Sequence, residues 1–199
     1  MGKDLKIGMI LSTTRRARFA DKPAQWLLNL VSQRSDAAFE IVDLRNYQLP
    51  FFDEDQSPKF APPLNDIASR WGRKMAELDG YIFITAEYNH GMPAVLKNAL
   101  DHGYASYNRK PAAFVGYGGV GAARAVEQLR LTLAELQVAT LSNSVHINQG
   151  EFVGMLMQGK TFADYPYLEE AVHPMLDDLL WWANALKKGR QNETTGLAA

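Results

Sequence analysis

Three short stretches of this 199-residue sequence combine side chains and backbone freedom in ways that could do chemistry. The first is Ser12-Thr13-Thr14-Arg15-Arg16-Ala17-Arg18, which follows an apolar run and precedes a helical pattern. Hydroxyls and loop N–H groups donate to phosphate oxygens, a helix N-terminus favours negative charge, and arginine holds an oxyanion with paired bonds. These residues therefore suit a phosphate, the alternative being solvated surface charge. Neither GxxxxGK[ST] nor GxGxxG follows this run, which argues against a nucleoside triphosphate. The second stretch is Thr85-Ala86-Glu87-Tyr88-Asn89-His90-Gly91-Met92-Pro93. An amide side chain or a loop N–H can bond ring heteroatoms, and Tyr88 or Met92 can lie against a flat ring. Asn89-His90-Gly91 also reads as a turn before a proline-started helix. The third, Tyr117-Gly118-Gly119-Val120-Gly121, removes side chains so that backbone can approach a flat ligand, and Arg124 follows; glycine also serves any tight turn. One phosphate cradle and two loops shaped for a planar heterocycle together fit a single-phosphate flavin better than a dinucleotide.

Other chemistries are excluded or disfavoured by composition. The chain has no cysteine, so disulfides, thiolate nucleophiles and cysteine-ligated metals are absent, and redox chemistry would have to come from a bound cofactor. His90, His102, His146 and His173 lack paired metal-ligand spacing, so no metal site is expected. A formal charge of -1 offers no global attraction to nucleic acid or an anionic membrane. The N-terminus enters an apolar run without a leader pattern, so the expected location is cytoplasmic.

The elements that must position these stretches follow from apolar patterning. Ile7–Leu11 is a continuous apolar run, as in a strand buried on both faces. A helix is expected from about Asp21, with Pro23 in its first turn and Trp26, Leu27, Leu30 and Val31 on one face. Phe39–Leu44 reads as the second strand and Leu49–Pro63 as a loop. Asn65 or Asp66 should cap a helix with Ile67, Trp71, Met75 and Leu78 inward, stopped by Gly80. Tyr81–Thr85 and Ala112–Tyr117 are the third and fourth strands. They are followed by a helix begun by Pro93 and a long helix ending at Leu136. A fifth strand lies within Leu141–Ile147, and a last helix runs from about Tyr167 to Leu186.

Repeated strand–helix alternation predicts an α/β fold, a doubly wound parallel sheet with helices on both faces. Five strands favour the flavodoxin-like order 2-1-3-4-5, which brings the loops after strands 1, 3 and 4 together at one switch point. Residues 1–187 are read as one domain and 188–199, which lack apolar periodicity, as a flexible tail.

Glu87-Tyr88-Asn89-His90 with Pro93, followed by Val95-Leu96-Lys97-Asn98-Ala99-Leu100-Asp101, resembles a characteristic segment of the NAD(P)H-dependent FMN reductases. Lys110-Pro111, Gly118-Gly119 and Gly121-Ala122-Ala123-Arg124-Ala125 resemble the same family's next strand, glycine turn and helix. The resemblance spans roughly residues 5–147. It implies that Thr13, Arg15 and Arg18 hold the FMN phosphate, although Ser12 replaces the usual leading glycine. Glu87, Tyr88, Asn89 and His90 would lie beside the ring and ribityl chain, with Ala86 in place of the usual proline. Tyr117, Gly118 and Gly119 would meet the pyrimidine side.

By the same resemblance, NADPH or NADH stacks over the exposed ring and passes hydride to it. A flavin, quinone or similar small acceptor then takes the same place, in ping-pong order. The flavin carries the chemistry, so no catalytic side chain is assigned. Backbone dipoles, including a helix N-terminus near Gly121, would stabilise the reduced ring. Tyr88 and His90 would shape acceptor access. Family members form homodimers or homotetramers. The competing reading is an FMN-bearing electron carrier or sensor without nicotinamide turnover, against which the near-neutral charge argues. A weaker one is a binding module that has lost the cofactor.

Overall fold

The structure, a computed structural model, describes residues 5–196. Its strands are β1 (Leu5–Leu11), β2 (Ala37–Asp43), β3 (Gly80–Ala86), β4 (Pro111–Tyr117) and β5 (Ala139–Ile147). All neighbours pair in parallel, in the order β2-β1-β3-β4-β5. The expected sheet and its order are thus observed, with most strand ends extended by one or two residues; β2 instead stops at Asp43, and Leu44 opens a 3-10 turn. Alternate residues serve opposite faces, as the period-2 geometry of a strand requires. Ile82 and Ile84 face one layer of core, Tyr81 and Phe83 the other.

The first layer is covered by α1 (Asp21–Val31), α5 (Gln149–Met157) and α6 (Pro166–Gly196), through Leu27, Met155, Val172, Leu176 and Leu179. The second is covered by α2 (Asp66–Glu77), α3 (Ala94–Asp101) and α4 (Ala123–Glu135), through Trp71, Met75, Leu96, Leu100, Leu129 and Leu133. Asn65 caps α2 as expected, its side chain accepting from the N–H groups of Ile67 and Ala68. The helix stops at Glu77, before Gly80, and Gly80 opens β3.

Two elements differ from expectation. α5 stands where no helix was read, and it places Phe152 in ring contact with Phe19 and Tyr117. Residues 188–196, read as tail, continue α6. Polar ties beside Arg190 hold the start of this extension. Lys187 and Arg190 donate to Asp79 at 2.9 and 2.8 Å, and Arg190 also donates to the Arg109 carbonyl at 2.6 Å. The end of the expected tail, 197–199, lies outside the described residues.

Candidate functional site

The carboxyl ends of β1, β3 and β4 are adjacent, and the three stretches emerge there. Thr13 is fully buried, and its Oγ1 lies 3.3 Å from the Tyr117 hydroxyl, tying the β1–α1 loop to the end of β4. Burial pushes the Tyr117 phenol up to about 12, the Thr13 hydrogen bond partly opposing it. Its ring packs 5.1 Å from Phe19, so Tyr117 supports the site from beneath and offers a ligand only its backbone. The Ser12 hydroxyl turns inward to the Ile10 carbonyl.

Arg15 and Arg18, both expected at a phosphate, part company. Arg15 is exposed, with its guanidinium 5.8 Å above the Tyr88 ring. Arg18 is buried and every one of its five N–H donors has a protein acceptor. Nε and Nη2 go to Asp21, Nη1 and Nη2 to Asp43, and Nη1 also to the Thr13 carbonyl. Burial alone would lower the Arg18 pKa, but the two carboxylates raise it above its ordinary value. Arg18 therefore braces the loop and has no donor left for a ligand.

After β3, the Tyr88 and Gly91 backbones exchange hydrogen bonds of 3.0 and 3.1 Å. Asn89 and His90 occupy the two central turn positions with φ of 50° and 71°, the conformation of a type I′ turn. Among the described residues neither side chain has a hydrogen-bond partner, while Gln128 donates to the His90 carbonyl from behind. Glu87 points away from this turn. Its carboxylate accepts from the Arg124 and Ala125 backbone N–H groups at 3.1 and 3.4 Å and from Arg124 Nε at 2.6 Å. Burial would raise its pKa, but these donors hold it below the usual carboxylate range. The Glu87 carboxylate thus occupies the N-terminus of α4, the dipole expected to serve a reduced ring.

A Cβ placed on Gly118 or Gly119 would meet no atom within 4 Å, so this turn faces open space. The opposite side of the same turn is crowded: a Cβ on Gly121 would stand 2.7 Å from His146 Cβ. A bare backbone surface, a turn with unpartnered side chains at Asn89 and His90, and the exposed Arg15 are together compatible with an anionic ligand that carries a flat ring. FMN fits this set. A cavity of about 400 Å³ adjoins the loop, lined by Thr14, Leu44, Arg45, Tyr47, Leu49 and Val95 among others. Among the described residues no group of three His, Asp or Glu is placed to hold a metal.

A parallel 2-1-3-4-5 sheet with its polar loops gathered beyond β1, β3 and β4 defines the flavodoxin-like class. Within that class, a family model described as NADPH-dependent FMN reductase matches residues 5–152, and the chain belongs to this family. It is 36% identical over 127 residues to an NAD(P)H-dependent FMN reductase of Schizosaccharomyces pombe, covering 63% of this chain and 64% of the relative. It therefore spans slightly less than two thirds of that protein. A 2-hydroxy-1,4-benzoquinone reductase of Burkholderia sp is 33% identical over 145 residues, 69% of this chain and 75% of that one. In fold, the chain matches FerB, a flavoenzyme NAD(P)H:(acceptor) oxidoreductase from Paracoccus denitrificans. The TM-score is 0.67 at 22% identity, over 91% of this chain and 98% of that one.

Proposed function

We propose that this protein is an FMN-dependent NAD(P)H oxidoreductase that reduces quinones, flavins or similar small acceptors. The observation that carries the reading is the juxtaposition of Arg15, the Asn89-His90 turn and the open Gly118-Gly119 backbone at one switch point. Family membership and the quinone reductase among its relatives support it. When bound, FMN supplies hydride acceptance and electron donation. The chain binds and orients it. Arg15 and the loop amides would hold the phosphate, the peptides of Asn89 and His90 would meet the ribityl chain and ring, and the open backbone of Gly118 and Gly119 would admit the ring edge. Tyr88 and His90 would border the face of the bound flavin and shape access for the nicotinamide and the acceptor. No general acid or base is required, because the flavin carries the chemistry.

FMN-loaded protein is expected to be yellow and to oxidise NADPH or NADH in the presence of a quinone. Failure with both nicotinamides would leave a carrier role instead. Arg15→Ala should weaken FMN by about tenfold or more and riboflavin much less, because a charge-assisted contact is worth about 1.5–3 kcal/mol and only FMN has the phosphate. Equal losses in a fluorescence titration would move Arg15 away from the phosphate.

The proposal includes a homodimer or homotetramer and a cytoplasmic location, where reduced nicotinamide nucleotides are available. Among the described residues no helix is long and apolar enough to cross a membrane. Self-association is supported by the 49–65 segment, on which Phe51, Phe60 and Leu64 are 85%, 77% and 82% exposed. Exposed apolar side chains on one loop are the kind of surface that self-association would cover. Phe60→Glu combined with Leu64→Glu should shift the mass measured by light scattering to the monomer; an unchanged oligomer would put the interface elsewhere.

A further inference from the structure

The β1–α1 loop is gripped from behind by residues that stand outside the ligand-facing stretches. Arg45, just beyond the end of β2, turns back so that its Nη2 donates to the carbonyls of Arg15 and Arg16, the latter at 3.1 Å. Arg18 Nη1 holds the Thr13 carbonyl at 2.8 Å. Asp43 joins the two arginines. Its Oδ1 accepts from Arg18 Nη1 at 2.6 Å and from the Arg45 backbone N–H at 2.9 Å, and its Oδ2 accepts from Arg18 Nη2 at 2.6 Å. Asp21, in the first turn of α1, pairs with Arg18 and lies 3.8 Å from Arg45 Nη1.

This network dictates where the loop amides point. In a trans peptide the carbonyl and the following N–H lie on opposite sides of the chain, and no peptide bond here is cis. Drawing the carbonyls of residues 13, 15 and 16 toward the arginines therefore turns the N–H groups of Thr14, Arg16 and Ala17 the other way. Among the described residues none of these three amides has an acceptor. Outward N–H groups clustered in a short loop form a concave donor set that suits an anion.

We infer that Asp43, Arg45 and Arg18 are positioning residues that make this loop selective for a phosphate-bearing ligand. The inference rests on the reading that the FMN phosphate lies at this loop. Arg45 is the member to test, because its side chain is 33% exposed whereas that of Arg18 is 2% exposed, so its replacement leaves no cavity. The loop carbonyls would be released and the amides would lose their common direction, while the surfaces meeting the ring would be unchanged.

Apoprotein is titrated with FMN and with riboflavin, following flavin fluorescence, for wild type, Arg45→Met, Arg45→Gln and Arg45→Lys. Wild type should prefer FMN strongly. Arg45→Met and Arg45→Gln should each lower FMN affinity by about tenfold or more, as expected for loss of charge-assisted hydrogen bonds, and leave riboflavin within about twofold. Arg45→Lys, which keeps a cationic donor for the carbonyls, should recover part of the loss. Equal weakening of both flavins, or an unchanged preference in the Met and Gln variants, overturns the inference while the phosphate reading stands. A wild type that does not distinguish FMN from riboflavin overturns the phosphate reading itself, and the inference with it.

Discussion

Gly116→Ala is expected to lower the melting temperature by roughly 2–12 °C and to weaken flavin binding with it, whereas Gly119→Ala should leave stability nearly unchanged. Gly116 lies in β4, paired with Thr85 of β3 and His146 of β5. A Cβ there would stand 2.2 Å from the Gly121 carbonyl oxygen and 3.1 Å from Ala122 Cβ. The obstructing atom is backbone and cannot rotate aside. Nor can the turn simply retreat, because His146 Nδ1 lies 2.7 Å from that same oxygen and Gly121 holds φ of 58° against His146. Overpacking of this kind costs about 1–3 kcal/mol, which for a chain of this size corresponds to roughly 2–4 °C per kcal/mol. Gly119 offers open space, so its alanine variant separates ligand obstruction from folding. Calorimetry with and without FMN measures both effects. Equal melting temperatures for Gly116→Ala and wild type would mean that the turn moves freely and is not pinned to β4.

The features legible in the sequence were those with a local cause. The three inner strands β1, β3 and β4 read as apolar runs because both their faces are buried, whereas the edge strands β2 and β5 are only partly buried and more polar. The extended α6 and the helix α5 were not legible for physical reasons. α5 has no single apolar face: it buries Gly154 and Met155 yet leaves Leu156 46% and Met157 76% exposed. At the site, Arg15 and the glycine turn stand open at the switch point as their composition suggested. In the sequence Arg18 and Glu87 look like ligand residues because Asp43 and Arg124, which engage them in the fold, are remote from them. Asp43 reaches Arg18 across 25 residues only because β1 and β2 pair Leu11 with Asp43. Arg124 reaches Glu87 across 37. The local hints were Asp21, three residues after Arg18, and Asp43, a half-buried charge at the end of an edge strand. A buried charge left alone is so costly that the fold brings its partner to it.

The same reasoning sets the response to acid. Glu87 is 6% exposed, and its oxygens accept from two backbone N–H groups of α4 and from the Arg124 guanidinium, including a short contact to Nη2. Its carboxyl is held below the usual range, near 4.3 for an unfolded glutamate. A depressed folded pKa contributes stability that is present above the unfolded value and is lost as pH falls through the folded value. Glu87→Gln should therefore cost about 1–3 kcal/mol at pH 7, where an amide replaces a charge facing Arg124 and turns an N–H₂ toward other donors. The gap between variant and wild type should narrow once pH drops below about 4. Asp43, also held low by Arg18 and by the Arg45 backbone N–H against the opposing effect of burial, adds a slope of the same sign. It does so in both proteins, so their difference isolates Glu87. Urea midpoints measured for the two proteins at pH 7 and at pH values down to about 3.5 give that difference directly. A gap that stays constant over this range would mean that Glu87 does not owe its hold on α4 to its charge.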